Sequence, residues 1–240
     1  MKNLLASAIG LAAAASASVA HAVEITGGSV ELSYSAFTEE TDANKTSLTG
    51  SVEVGFNRNI SAQVDAGTDS FGFTDLDSVS FGVHGIYHMS DETSFGAFYT
   101  LEEAELGGVK DDGDIFGVEF GHEVGLTEFE GYLGRGESSG LSGTMLGLSG
   151  RYAMANGVGI TGAIDYLDVE GIEARKLTVR LDGDVSQNLN MFVEVGTGKV
   201  SGFGVSESDP FVGIGGKITF GADRGATFER RSLVDLLPGG

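Results

Sequence analysis

The sequence predicts an all-β chain that forms an antiparallel transmembrane β-barrel of about twelve strands. The first observation is that apolar and polar residues alternate along most of the chain, as in residues 47–66, which places them on opposite faces of a strand. The second is that charged residues recur on one of those faces, where a dry core could not hold them unpaired. The third is that short and long connections follow each other in turn, a regularity typical of membrane barrels.

Residues 1–22 are expected to be a cleaved signal peptide and not part of the fold. Lys2 supplies the positive start, residues 4–19 supply an alanine-rich apolar segment, and residues 20–22 (Ala-His-Ala) supply a small-x-small cleavage site. No later segment is long and apolar enough to cross a bilayer as a helix. The exported chain is therefore expected either to be soluble or to insert through strands.

Alternating runs follow the signal, each about as long as a tilted strand needs to cross a bilayer, which is roughly nine to eleven residues. Breaks that contain Asn or Gly, such as 57–59 and 155–157, favour tight turns. The predicted strands are 29–37, 46–56, 59–68, 78–89, 93–104, 114–124, 127–136, 144–154, 157–167, 175–185, 188–198 and 210–220. The longer predicted connections are 38–45, 68–77, 107–114, 137–143, 168–174 and the residues around 200–208.

The two faces of these runs predict which side chains meet lipid and which meet water. One face carries Val, Leu, Ile, Phe and Tyr, with aromatic residues near the run ends, as at Tyr87 and Tyr152. The other face carries small and charged residues, and its glycines, such as Gly117, Gly147 and Gly215, favour a narrow, open and hydrated lumen. The residues predicted to line the lumen are Glu31, Glu53, Asp65, His84, Glu119, Glu128, Glu130, Arg151, Asp165, Arg180, Asp182, Glu194 and Lys217.

The composition excludes several classes of protein. With 35 acidic and 14 basic residues the formal net charge is −21, which excludes a nucleic-acid surface because such a surface needs clustered cations. The chain has no cysteine, which excludes disulfides and thiolate metal sites. Its 39 glycines follow no Gly-X-Y period, which excludes collagen. No cofactor is expected.

The last run, FVGIGGKITF at 211–220, combines Gly215 with the hydrophobic Ile218 and the aromatic Phe220. Together with the export signal, the alternating strands and the acidic loops, this pattern resembles bacterial outer-membrane porins. Among them it is most similar to the small, Gly-rich, acidic porin-like proteins of alphaproteobacteria. The resemblance covers roughly residues 28–220 and divides the chain into a signal peptide (1–22), a barrel (23–220) and a C-terminal tail (221–240).

The resemblance implies a location in the outer membrane of a Gram-negative bacterium, with the short turns on the periplasmic side and the loops outside the cell. It also implies contacts with outer-membrane lipid and lipopolysaccharide. The last strand, with Gly215, Ile218 and Phe220, is expected to carry the signal for the barrel-assembly machinery. Association of the barrels into a homo-oligomer stays open.

Residues 221–240 are expected to form a periplasmic C-terminal tail. Porins of this kind usually end on the aromatic residue of the last strand, so the chain departs from the family here. Arg224, Arg230 and Arg231 make this stretch the most basic one of a very acidic chain. Three interpretations stay open: a disordered extension, a basic plug attracted to the acidic lumen, and an extra strand.

Catalytic and metal sites are not predicted. His84 and His88 lie roughly 13 Å apart if they occupy one strand, at about 3.3 Å per residue, which is too far for a single ion. The acidic residues that share a face, Glu128 and Glu130 with Glu119 near them, favour a cation-attracting pore because no nucleophile accompanies them. An outer-membrane hydrolase is the weakest of the functions considered.

The residues and the resemblance together predict a channel, without enzymatic activity, for passive diffusion of ions and small hydrophilic solutes. Acidic side chains around a lumen focus a negative potential, so a preference for cations is expected. Arg151, Arg180 and Lys217 oppose that potential and are expected to set a transverse field. The alternative is a non-conducting structural or adhesive barrel whose acidic loops, such as the one with Asp111 and Asp114, bind partners or divalent ions.

Overall fold

The computed structural model describes residues 24–72, 76–154, 157–202, 204–221 and 225–236, so the predicted signal peptide lies outside the described residues. The described chain forms one closed antiparallel barrel, in which each strand pairs with its neighbours in sequence and the first strand pairs with the last. This confirms the predicted fold class. The strands are β1 (Glu24–Phe37), β2 (Asn44–Asn57), β3 (Ile60–Phe71), β4 (Leu76–His88), β5 (Thr93–Leu106), β6 (Val109–Val124), β7 (Thr127–Ser138), β8 (Leu141–Ala153), β9 (Val158–Val169), β10 (Ile172–Ser186), β11 (Leu189–Gly202) and β12 (Val205–Gly221).

The closing pair of strands uses the whole of the predicted last run. β1 pairs with β12 from Gly27, opposite Gly221, to Phe37, opposite Phe211. Because this pairing removes both sheet edges, the backbone groups of the edge strands find partners within the barrel, as a lipid environment requires. Among the described residues, no helix is long and apolar enough to cross a bilayer.

The strands are longer than predicted at one end of the barrel, because three of the expected long loops are two-residue turns. In Gly107-Gly108, Ser139-Gly140 and Glu170-Gly171 both residues have a positive φ, between 49° and 88°. This is the conformation of the tight turns whose twist matches that of a hairpin. Most of the predicted loops 107–114 and 137–143 are therefore paired strand. The connection 38–43 between β1 and β2 remains a loop.

The two ends of the barrel are named here for these connections. The turn end carries the turns 58–59 and 125–126, together with the start of β1 and the end of β12. The loop end carries the loop 38–43.

The faces of the strands are reversed relative to a soluble protein. Apolar side chains point outward, where Leu32 is 56% exposed and Leu148 is 59% exposed, whereas Gln63 and Asp65 point inward and are fully buried. Soluble proteins bury their apolar residues and leave carboxylates in water. The observed arrangement is that of a barrel surrounded by lipid.

The interior of the barrel is packed, and residues beyond the last strand contribute to the packing. Phe98, Ile115 and Met145, from three different strands, surround Leu236, the last residue of a 3-10 turn (Leu233–Leu236). Residues 225–236 therefore lie inside the barrel. Of the three interpretations of the tail, this agrees with the basic plug in the acidic lumen and not with an extension on the periplasmic side or an extra strand, because the charged and apolar side chains of the segment find partners on the inner wall.

Candidate functional site

The segment 225–236, called the tail from here on, enters the lumen at the turn end. The backbone N–H of Thr227 donates to Oε2 of Glu53 at 2.8 Å. At the next residue, Gln63 forms two hydrogen bonds with the backbone of Phe228: Nε2 donates to the carbonyl oxygen at 2.7 Å, and Oε1 accepts from the N–H at 3.1 Å. Because these bonds satisfy the backbone of a segment that belongs to no sheet, they hold it in one position.

The tail then continues to the loop end. The hydroxyl of Ser232 donates to Oε2 of Glu102 at 2.6 Å. Further along, Nζ of Lys45 donates to the carbonyl oxygen of Val234 at 2.8 Å, beside the loop 38–43. The tail thus passes through the lumen from one end of the barrel to the other.

Arg230 is held by the wall formed by β3 and β4. Its Nη1 donates to Oδ2 of Asp69 at 3.0 Å and to Oγ of Ser80 at 2.8 Å, and its Nη2 lies 3.4 Å from Oδ1 of Asp69. The same guanidinium contacts Asp235 within the tail. The wall has no side chain at this point, because the residue is Gly67, and a Cβ atom there would lie only 2.2 Å from Nη1 of Arg230. A glycine therefore makes the space for the guanidinium.

Arg231 is held by the wall formed by β6 and β7. Its Nη2 contacts Glu130 and lies 3.3 Å from Oε2 of Glu119. The guanidinium also lies over the ring of Tyr132, 4.3 Å from its centroid. Side chains of Arg231 and Glu119 are 7% and 0% exposed, so this is a charge pair removed from water. Carboxylates and an aromatic face together form a setting that suits a planar cation.

Between the two arginine sites, Phe228 packs against His84. Their rings are nearly parallel, at 18°, with centroids 6.4 Å apart. The imidazole contacts Asp65 through Nε2 and Glu119 through Nδ1, each at 2.6 Å, and all three side chains are fully buried. Nδ1 forms a hydrogen bond with Glu119, whereas the contact of Nε2 with Asp65 is short but lacks the alignment of a hydrogen bond. The imidazole therefore lies between a carboxylate of β3 and one of β6.

On the wall from β8 to β12, two arginines are paired with carboxylates of the barrel. Nη2 of Arg151 lies 2.7 Å from Oδ2 of Asp182. Nη2 of Arg180 lies 3.0 Å from Oε2 of Glu194, and its Nη1 lies 3.4 Å from Oε1 of Glu31. Two of the three cations predicted to oppose the acidic residues, Arg151 and Arg180, are thus paired with acidic residues of the same wall or of the adjacent strand β1.

The residues predicted to line the lumen lie on the inward faces of their strands. Besides the contacts above, Glu128 accepts from Arg151 at 3.3 Å, Asp165 accepts from the hydroxyl of Tyr132 at 3.0 Å, and Lys217 stands opposite Glu31 in the register of β12 and β1. The structure brings these residues into one interior. The other three site residues lie on β12, where Ile218 and Phe220 point outward and Gly215 points inward. Their role in assembly stays a prediction.

The inward glycines do not leave an open lumen, so that expectation is wrong. A Cβ atom at Gly147 would lie 2.1 Å from Cε1 of Tyr132, and one at Gly215 would lie 2.3 Å from Cζ of Phe192. Glycine lets a neighbouring aromatic ring lie flat across the strand, where any side chain would clash. The small residues on the inner face therefore accommodate bulky neighbours and the tail.

Several residues that hold the tail were not among the predicted site residues. Lys45 and Asp69 fall in segments predicted as loops, so their facing could not be read from alternation. Glu102, Tyr132 and Lys176 stand in predicted strands at the same parity as inward residues, and alternation alone would have identified them. Lys176 contacts the backbone oxygen of Asp235 in the tail.

Within the part of the chain that the structure describes, no group of three or more His, Cys, Asp or Glu side chains is arranged to hold a metal ion. His88 contacts Ser61 and Ser94, at 2.9 Å each, and is separate from the carboxylates around His84. The acidic residue Asp111 accepts hydrogen bonds from the hydroxyls of Ser138 and Ser139, at 2.7 and 2.5 Å. Both oxygens of this carboxylate therefore already accept hydrogen bonds from hydroxyl groups.

Comparison with solved structures gives the same architecture. The chain is similar to the KdgM porin, also solved in complex with disordered oligogalacturonate, with a TM-score of 0.61 and 12% identity over 80% of this chain and 99% of that chain. It is similar to the NanC porin with a TM-score of 0.59 and 10% identity, over 80% of this chain and 98% of that one. Neither a protein-family model nor a curated protein matches the sequence.

The fold is a closed antiparallel barrel similar to those of the solved porins. In this chain a segment that follows the last strand passes back through the lumen. The similarity to alphaproteobacterial proteins stays a prediction, because the structural likeness reaches the fold and no further.

Proposed function

We propose that the protein is a channel in the outer membrane of a Gram-negative bacterium, exported with a cleaved signal peptide, for passive diffusion of ions and small hydrophilic solutes. The observation that carries the proposal is the closed barrel with an apolar outer face and a charged inner face. A charged inner wall is of use to a barrel that contains water and solutes. The function is transport and not catalysis.

The channel prefers cations in this proposal. The inner wall from β3 to β7 presents Asp69, Glu102, Glu119 and Glu130, and it already binds positively charged side chains of the tail. Low-dielectric surroundings strengthen the field of such carboxylates. On the other wall Arg151 and Arg180 are paired with carboxylates, so these arginines offer less attraction to anions.

The tail controls conduction. The tail runs through the lumen from the turn end to the loop end, and in this proposal the barrel with the tail inside is the closed state of the channel. The tail is held by side-chain hydrogen bonds and ion pairs and is not a strand of the barrel. Its withdrawal therefore leaves the ladder of strand pairs intact, and conduction requires that withdrawal or a partial form of it.

Planar-bilayer recording tests this function. Wild-type protein is compared with the double variant Arg230→Gln/Arg231→Gln, in which the tail loses both guanidinium groups. The matched control is Arg135→Gln/Arg175→Gln, because these arginines are more than half exposed and contact acidic residues of their own strands, Glu137 and Glu173. The tail variant is expected to conduct more than the wild type and the control, with a reversal potential in a KCl gradient that indicates K⁺ preference.

A non-conducting structural or adhesive barrel is the second candidate. The packed cluster of Phe98, Ile115, Met145 and Leu236 favours it, since apolar side chains close the lumen near the loop end. Absence of current from the tail variant, in vesicles where the protein is folded and inserted, would refute the channel and support this candidate. A preference for Cl⁻ would refute the cation selectivity alone.

Three further features are proposed with the channel. The outer face contacts lipid and lipopolysaccharide, the last strand with Gly215, Ile218 and Phe220 is read by the barrel-assembly machinery, and barrels associate into homo-oligomers in the membrane. The outward side chains of Ile218 and Phe220, 52% and 38% exposed, support the first of these features.

A further inference from the structure

The two arginines of the tail occupy two separate settings on the same side of the lumen. The first, called the Asp69 site, consists of Asp69 and Ser80 beside the space above Gly67. The second, called the Glu130 site, consists of Glu119, Glu130 and the ring of Tyr132. These wall residues belong to β3, β4, β6 and β7, so both sites remain in the barrel when the tail leaves.

Each site matches the shape of a guanidinium group and not only its charge. At the Asp69 site one carboxylate receives two nitrogens of the same group, at 3.0 and 3.4 Å, while a hydroxyl accepts from the first nitrogen at 2.8 Å. At the Glu130 site the planar group lies across an aromatic face while its edge meets two carboxylates. An ammonium group is a compact point charge that uses neither feature fully.

We propose that these two sites are the solute-binding sites of the lumen and that they take small cations that carry a guanidinium group. The tail is the resident occupant, and Arg230 and Arg231 occupy the places of the solute. This inference names the substrate class of the channel and therefore rests on the proposed function. It predicts binding to a lumen from which those two side chains have been removed.

The tail is covalently joined to the barrel, so binding of a free solute has to be measured on a variant in which the tail does not compete for the two sites. A tethered segment competes at a high effective concentration, so a free solute at millimolar concentration does not displace it from the wild-type barrel. Removal of the two arginine side chains in the full-length chain empties the sites without deleting the segment. Each removed arginine side chain leaves a space into which the guanidinium group of the tested solute fits.

The experiment is saturation-transfer NMR of L-argininamide with the full-length variant Arg230→Ala/Arg231→Ala in detergent micelles. We expect saturable transfer, with an apparent affinity at least about 10-fold higher than for the wild type. L-Lysinamide, with the same charge and no planar group, is expected to bind at least about 5-fold more weakly. Citrullinamide, which keeps the α-amino group but carries an uncharged ureido group in place of the guanidinium, is expected to give no saturable signal.

Substitutions in the wall assign the binding to the two sites. Glu130→Gln in the double variant removes a carboxylate from one site, and Gly67→Ala fills the space of the other. Both are expected to weaken binding of L-argininamide several-fold. The matched control for the second change is Gly85→Ala, because a Cβ atom at Gly85 would contact nothing within 4 Å.

Absence of saturable binding to the double variant, equal binding of L-lysinamide, or indifference to both wall substitutions would overturn the inference. If the double variant does not show the heat-modifiable migration of a folded barrel, Arg231→Ala alone serves, since it empties the Glu130 site and keeps Arg230 in place. The NMR signal requires no current. A barrel that conducts without binding refutes this inference alone, and one that binds without conducting refutes the channel alone.

Discussion

The two halves of the inner wall differ in how their charges are balanced. From β8 to β12 the pairs Arg151–Asp182 and Arg180–Glu194 are complete within the barrel. From β3 to β7 the carboxylates Asp69, Glu119 and Glu130 contact Arg230 and Arg231, which the tail supplies, and two of them also contact a side chain of the barrel, Asp69 with Lys45 and Glu119 with His84. The comparison teaches that the tail supplies the arginine partners of one half of the wall, whereas the arginines of the other half are paired with carboxylates of the barrel, and Lys176 of that half contacts the backbone of Asp235 in the tail.

The largest effect on the position of the tail is expected from removing Arg230 and Arg231, which contact the wall from β3 to β7. In a chain without cysteine, Ser232→Cys places a thiol where the native side chain is 1% exposed. Adding Arg230→Gln/Arg231→Gln is expected to raise the rate of thiol modification by a water-soluble reagent about 100-fold, because breaking buried charge pairs costs about 3 kcal/mol or more. The same thiol with Arg135→Gln/Arg175→Gln should react at the original rate. A rate that both double variants leave unchanged contradicts the dependence on the tail.

A smaller effect is expected from the imidazole between the two arginine sites. His84→Gln removes the ring that packs on Phe228 and the link between Asp65 and Glu119. Because Arg231 still neutralises Glu119, the tail should loosen only in part, with about 10-fold faster modification of the thiol introduced by Ser232→Cys, the equivalent of about 1.4 kcal/mol. A rate as high as in the arginine variant would mean that the histidine, and not the arginines, holds the tail.

The smallest effect on the tail is expected from a substitution in the wall from β8 to β12, where the arginines are paired with carboxylates of the barrel. Arg151→Ala leaves Asp182 with Asn190 as a remaining donor, at 3.1 Å. Because the Arg151 side chain is 30% exposed and water screens the pair, the barrel should lose about 1 kcal/mol of stability. The measurement is the urea midpoint of unfolding from vesicles, alongside the thiol rate, which should change less than 2-fold. A large rise in that rate would show that the two halves are coupled.

Much of the fold could be predicted from the alternation of side chains. The alternation placed residues such as Glu53, Asp182 and Glu194 on the inner face, and the structure has them there, 4%, 8% and 3% exposed. Alternation is a local property with period two, so it survives errors in strand boundaries. The errors concern turns: the pairs Ser139-Gly140 and Glu170-Gly171 belong to tight hairpins, and their non-glycine residues gave no sign of a positive φ.

The candidate site could be predicted only in part. The acidic inner face follows from the sequence, and the basic character of Arg230 and Arg231 marked their segment as unusual. Periodicity cannot indicate whether such a segment lies in the periplasm or in the lumen, because it has no repeating pattern. Lys45 and Asp69 were missed because they lie where β2 and β3 extend into segments predicted as loops, and this extension depends on pairing between the two strands.

The sequence by itself determined the strands and the chemical difference between their two faces, because both follow from residues close together in the chain, and closure into a barrel follows because a sheet in lipid can leave no free edge. Only the tertiary structure decided what fills the lumen. Arg230 meets Asp69 across 161 positions of sequence, and Phe228 meets Gln63 across 165. Such contacts form because a closed wall brings distant carboxylates around one enclosed space, where buried charges must find partners.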